Sequence, residues 1–330
     1  MLKRTLACAL FAITGHAYSA DIQVTTLVDE DKDDAVCSLR EAVEFINKRN
    51  QTAFENGYHG CGNKEASSII VLERDKQYTL NKALEIKSAM TIMTASSGDF
   101  RDDKKGIHNA TIKMIGTERL FLINDGSVEN ALISVMFNEL NLQGSATKMN
   151  DGGLIYNREA LNIQYSRLMG GNAVRGGAIY NAGILSDAQK TAGIVLISNS
   201  ILQSNKADQG AVIYTEMPIY NISHSVIRDN EVIASSTGAL IFTQTGFTDE
   251  TIGTALLTRT SGIRNSTIFH NKGGYVANIR EGMIFNNVTM IKNAAGLYLQ
   301  AANWNVPASG TTTTSPVPSA YVSNNIRSLA

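Results

Sequence analysis

One phrase recurs along this chain and limits what it can become. It reads Gly176-Gly177-Ala178-Ile179-Tyr180-Asn181, with Gly152-Gly153-Leu154-Ile155-Tyr156-Asn157 before it. Gly210-Ala211-Val212-Ile213-Tyr214, Gly238-Ala239-Leu240-Ile241-Phe242 and a worn copy, Gly296-Leu297-Tyr298-Leu299, come after it. A second phrase, an alternating segment that ends in Asn, occupies 197–205, 222–230, 263–271 and 285–293. Self-similarity at a period of roughly 20–50 residues identifies a repeat architecture.

Each unit holds two short runs of β-branched and apolar residues in strict alternation, with Gly and Asn between them. No unit has room for a helix of about ten residues, which removes leucine-rich, ankyrin and tetratricopeptide arrays. The units are also too short for propeller blades. What remains is a coil of parallel strands, each turn stacked on the last at about 4.8 Å. The expected fold is therefore all-β, a single-stranded right-handed parallel β-helix of the pectin-lyase-like kind. Asn205, Asn230, Asn271 and Asn293 fall in one corner column, where Asn tolerates left-handed backbone and stacked amides can bond to one another. The Gly pairs mark the next corner. Uneven spacing between the Asn residues fits loops inserted at corners, which a stacked coil accepts.

Residues 1–20 read as an export signal: Lys3 and Arg4 precede an apolar run at 6–13, and Ala17, Ser19 and Ala20 offer cleavage points. The net charge of -1 becomes more negative once those two basic residues are removed. With no basic stripe, nucleic acid is not an expected partner. No later segment reaches the roughly 18 apolar residues that a membrane helix needs. Cys37 and Cys61 remain after processing, and two cysteines in an exported chain suggest one disulfide. The acidic turn at 29–34 lacks a calcium-loop pattern and reads as solvated. No metal or other cofactor is expected.

The one clear helix starts at Cys37-Ser38-Leu39-Arg40-Glu41-Ala42. Ser38 and Glu41 form a capping box, and Leu39, Ala42, Val43 and Ile46 make an apolar stripe. A solenoid needs a cap over its first open coil, and this helix is placed to be one. The expected organisation is a signal at 1–20, a cap at 21–66, the β-helix at 67–303 and a linker-like tail at 304–330. Cys37–Ala42 matches the CSLREA motif near the start of many exported bacterial β-helix proteins. The alternating segments and Gly-Gly-Ala-Ile-Tyr-Asn coils that follow resemble the same family, and the repeats are similar to those of chlamydial polymorphic outer-membrane proteins. Within the family the pattern is similar to the rhombotarget type of Acinetobacter surface proteins. That type is expected to end in Gly-Gly, a membrane helix and basic residues, an ending this sequence does not show. The resemblance implies architecture and export, and implies little about activity.

No catalytic signature stands out: there is no Gly-x-Ser-x-Gly, no His-Glu-x-x-His and no phosphate loop. His224 aligns with Asn199, Asn265 and Asn287 and reads as one more polar member of a column. Asp102-Asp103 and Asp249-Glu250 read as solvated turns. Tyr156, Tyr180, Tyr214 and Phe242 occupy one position in four units and should stack. Facing out, they could hold sugar rings; facing in, they are core, and the pattern leaves both open with protected packing favoured. The leading expectation is an exported binding or adhesion protein for a polysaccharide or a cell-surface partner. A polysaccharide lyase or glycosidase acting in the groove, and a structural stalk, are its rivals. If Cys37 and Cys61 pair, both thiols should resist alkylation in exported, denatured protein until a reductant is added; two free thiols would refute the pairing.

Overall fold

The computed structural model describes residues 20–99, 106–127, 131–185, 190–216, 220–233, 236–244, 261–280, 283–299, 320–323 and 326–328. The signal, most of the insertion at 243–261 with Asp249 and Glu250, the loop holding Asp102 and Asp103, and most of the tail lie outside these residues.

The chain winds as a parallel β-helix. Every coil contributes one strand to an eight-stranded sheet running from Leu84–Ile86 to Leu297–Leu299. A four-stranded sheet collects Met149–Asp151, Asn172–Arg175, Lys206–Gln209 and Glu231–Val232. The remaining flanks form a 17-stranded sheet. Within it, Ala160–Gln164 and Arg167–Met169 are joined at a left-handed Tyr165, and Asn199, His224, Asn265 and Asn287 repeat that bend in later coils. These pairings are parallel and in register, so residue meets equivalent residue. The column Ile92, Phe137, Ile163, Ile197, Ile222, Ile263 and Phe285 is continuous and buried throughout. Each such side chain withdrawn from water contributes about 1.5–3 kcal/mol.

Both corner signatures have physical causes. Gly152, Gly176 and Gly210 adopt φ near +65 to +70°. The second glycine of the pair is small for another reason: a Cβ on Gly177 would lie 2.4 Å from the Ala211 carbonyl oxygen of the next coil. The Asn column differs from expectation in one respect. The left-handed residues are those just before it, Ser204, Asp229, His270 and Lys292. That turn swings each Asn inward, where its amide bonds to the coil above: Asn205 Nδ2 donates to Asn230 Oδ1 at 3.0 Å, Asn230 to Asn271 at 3.0 Å, and Asn271 to Asn293 at 2.8 Å. The same oxygens accept the neighbouring backbone N–H, and each amide also reaches a carbonyl, as Asn230 does to Leu202 at 3.0 Å.

At the N-terminal end the helix spans Leu39–Lys48. Ser38 caps it, with Glu41 closing the reciprocal capping box. Leu39, Ala42, Val43, Phe45 and Ile46 are buried in the same core cluster as the first coils. Phe45 belongs to the buried face although the sequence stripe omits it. Asn47 locks the helix to the first coil, donating to the Glu85 carbonyl at 2.7 Å and accepting from the Lys87 N–H at 2.9 Å. The Cys37–Cys61 disulfide ties the helix start to the loop after it. A short strand, Ile22–Gln23, pairs with Ile70 and Val71 and extends the stack beneath the first coil.

The tail departs from expectation. Ala320–Ser323 and Ile326–Ser328 pair in parallel with Met283–Ile291. An open sheet edge offers a row of unpaired N–H and C=O groups, so a strand can add there without a strong core pattern of its own. The two ends of the insertion at 185–192 are also ordered into strands: Gly183–Leu185 pairs antiparallel with Lys190–Ala192.

Two substitutions separate cap from corner. Ile46→Asp places an unpaired charge on the apolar seam, at a cost of several kcal/mol. Hydrogen exchange should then show loosening that begins near 69–92 and fades toward 293, because coil stability is a sum over neighbours. Asn230→Ala should cost about 2–4 kcal/mol, since it strands several buried groups, and should loosen only the coils beside it. Unchanged protection of the early coils in Ile46→Asp would remove the helix from its capping role.

Candidate functional site

Four of the six letters of Cys37–Ala42 make specific bonds, and all serve architecture. Cys37 forms the disulfide. Ser38 Oγ donates to the Glu30 carbonyl at 2.6 Å and accepts from the Glu41 N–H at 3.1 Å. Glu41 takes the Ser38 and Lys32 N–H groups, each at 2.7 Å. Leu39 and Ala42 are core. Arg40, the fourth polar group, grips Asp29 with both prongs at 2.7 and 2.9 Å and donates onward to the carbonyls of Lys82 and Ala83. The acidic turn is thus fastened rather than wholly solvated, with Asp29 held in place while 31–34 stay exposed. Asp31, Glu41 and His59 bring ligand-type atoms within 4.8 Å of one another. Yet Glu41 is taken by backbone N–H groups, and Asp31 accepts from the Tyr58 hydroxyl at 2.8 Å and faces His59 Nδ1 at 2.9 Å. Hydrogen bonds within the protein therefore already account for this cluster.

The aromatic column stacks along the eight-stranded sheet. Tyr156, Tyr180, Tyr214 and Phe242 are in register, with ring centroids 5.2 Å apart at each step. They form an apolar cluster separate from the main core, with Ala182. The rings thus sit on the face away from Ile155, Ile179, Ile213 and Ile241. Tyr180, Tyr214 and Phe242 are only 2–3% exposed, and Tyr156 is half-buried. Because the rings lie on one another, their faces are used up and only edges point outward. Stacking a sugar needs a free face, so the column does not serve as a continuous sugar platform.

A charged frame encloses the column. Arg175 lies over Tyr180 and Tyr214, at 5.0 and 5.4 Å, and is held by a two-pronged bond to Asp151 at 2.7 and 2.9 Å. Arg280 lies over Phe242. The Tyr180 hydroxyl donates to Glu216, whose other oxygen accepts the Gly183 N–H at 2.8 Å and so pins the start of the inserted strand pair. The Tyr214 hydroxyl donates to Gln244 at 2.6 Å. Burial pushes the Tyr180 hydroxyl pKa well above its ordinary value, and the Glu216 carboxylate adds to the effect. Burial raises Tyr214 too, against the opposing pull of Arg175.

The column opens at its N-terminal end. There Glu85 and Leu122 precede Tyr156 in the same register. A cleft of about 740 Å³ lies between these residues and the capping helix, lined also by Arg40, Val43, Glu44, Lys82, Glu118, Arg119 and Met149. The Arg119 guanidinium sits 5.4 Å from the Tyr156 ring centre. Of the four column residues named from the sequence, Tyr156 alone reaches the cleft. Arg119, Lys82 and Glu118, which lie at corners of the early coils, and Glu85, which lies within the strand Leu84–Ile86, were not foreseen, because those coils are irregular and no repeat marks them. The other sequence-named residues, Asn205, Asn230, Asn271 and Asn293, lie in the corner ladder, away from the cleft. His224 Nε2 meets Asn265 Nδ2 at 3.1 Å, while Asp229 pairs with Arg228 instead. No protein-family model, curated protein or solved structure matches the chain.

The raised tyrosines give a titration test. A folded pKa above the unfolded value of about 10 means that stability is intact below pH 10 and falls as pH rises toward the folded value. Absorbance at 295 nm should therefore show a group of tyrosines, Tyr180 and Tyr214 among them, that ionise only as the protein unfolds in alkali. Tyr180→Phe should shrink that group by one. Smooth titration of all tyrosines near pH 10 in folded protein would contradict the buried column.

Proposed function

We propose that this chain is an exported β-helix, placed at the cell surface or outside the cell, that binds a polysaccharide or a cell-surface glycan partner without turning it over. The cleft at the open end of the tyrosine column carries this reading. Its volume of about 740 Å³ lies within the range of roughly 300–1,000 Å³ usual for ligand sites. Its lining is mixed: the Tyr156 edge, Leu122 and Val43 supply apolar contact, and Arg119, Lys82, Glu85 and Glu118 supply hydrogen bonding to hydroxyl groups. The signal-like residues 1–20 and the CSLREA resemblance support export.

The carboxylates favour binding over catalysis because they are engaged. Glu85 pairs with Lys87 at 2.5 Å, Glu44 pairs with Lys48, Asp31 faces Tyr58 and His59, and Glu118 accepts the Ala83 N–H at 2.9 Å. Glu85 and Glu118 nevertheless line one cleft, and paired acids are what glycosidases require, so hydrolysis is the second reading.

A glycan array probed with the purified chain, followed by mass analysis of the bound sugar, tests both. Intact glycan retained by the wild type and lost on Tyr156→Ala is the expected result. Shortened products would replace binding with hydrolysis, and an array with no retained glycan would end the reading.

A further inference from the structure

Arg119 is the guanidinium in the cleft whose N–H groups have no acceptor among the described residues; Arg40, which also lines the cleft, is bonded through all three of its nitrogens to Asp29 and two carbonyls. The Tyr156 hydroxyl beside it is likewise without a hydrogen-bond partner there, whereas Tyr180 and Tyr214 in the same column are bonded to Glu216 and Gln244. Lys82, whose carbonyl is held by Arg40, also lines the cleft, and its ammonium has no hydrogen-bond or ion-pair partner among the described residues. Arg119 is half withdrawn from water, and burial lowers its pKa. A partly desolvated guanidinium with idle donors is unfavourable unless an acceptor arrives, and its planar fork matches a carboxylate two-prong.

We propose that the cleft binds a carboxylate-bearing sugar, with the acid on the Arg119 guanidinium next to the Tyr156 hydroxyl. This rests on the glycan-binding reading and narrows it. The lining also limits how acidic the ligand is. Asp31, Glu44, Glu85 and Glu118 outnumber Arg40, Lys82 and Arg119. A run of adjacent uronates would meet those carboxylates, so the fitting ligand carries one acidic sugar among neutral ones. The idle donors are grouped at the Tyr156 end, which gives that single charge one defined place.

The test compares matched probes by calorimetry on the full chain. Each probe is an oligosaccharide alternating a glucuronate, galacturonate or sialate residue with neutral sugars, paired with the same molecule after reduction of its carboxylates to alcohols. At least one acidic member should bind about tenfold or more tightly than its reduced partner. Arg119→Met, which keeps the stem and removes the charge, should abolish that preference, and Arg119→Lys should keep part of it. Equal affinity within every pair would overturn the acidic specificity and leave glycan binding standing. Binding of no saccharide at all would overturn both, as would preference for an acidic peptide over every sugar. Should Arg119→Met melt early, the acid-against-alcohol comparison on the wild type still decides.

Discussion

Everything in this molecule depends on backbone hydrogen bonding between successive coils in one unbroken register. At a spacing of about 4.8 Å each side chain faces its equivalent, so every position must tolerate a copy of itself. Apolar residues meet that demand by packing, as Ile163 on Ile197 on Ile222 does. A buried polar residue meets it only if it can donate and accept together. Asn amides and Ser hydroxyls can; carboxylates and ammonium groups cannot, and like charges one rung apart repel. The interior therefore carries the Asn column and a second ladder in which Ser166, Ser200, Ser225 and Ser266 each accept the N–H from the coil before and donate to a carbonyl two residues back.

This constraint also decides what could be read from the sequence. Repetition reveals whatever repeats: the coil, the glycine corners, the Asn column and the register of Tyr156, Tyr180, Tyr214 and Phe242. The helix was legible too, since a capping box and an apolar stripe are local signals. Conformation inside a signature was less so. The left-handed residue precedes each column Asn rather than coinciding with it, because the inward amide matters more to the coil than the backbone tolerance of Asn. The added strands at 320–328 rest on an edge supplied by Met283–Ile291, which their own composition does not announce. Glu216 and Gln244, which bond the tyrosine hydroxyls, sit just past the in-register Thr215 and Thr243, where the residue type changes from coil to coil, and Arg119, which lies over Tyr156, comes from a corner outside the repeat.

The tyrosine column shows how regular stacking works against ligand binding. In a periodic stack each ring uses its neighbour's face, each amide bonds the next amide, and the pattern is satisfied by itself. Aromatic pairs of this kind are worth about 0.5–1.5 kcal/mol beyond burial, which makes the column a stabilising feature of the outer face. A surface that satisfies itself has few groups left for a guest.

Unsatisfied groups must then appear where the period ends, and the N-terminal junction is such a place. The capping helix is not a strand, so it cannot continue the column; Glu85 and Leu122 replace its rings, and a gap opens beside Tyr156. The motif residues keep that gap in shape: Arg40 fixes Asp29 to the carbonyls of Lys82 and Ala83, and the Glu118 carboxylate holds the Ala83 N–H on the other side. A motif whose polar letters all bond to the protein itself can still matter to function, by holding rigid an edge where the stack leaves donors idle. On this view the cap and the proposed binding cleft are one device, since the same break in periodicity that demands a cap creates the cleft.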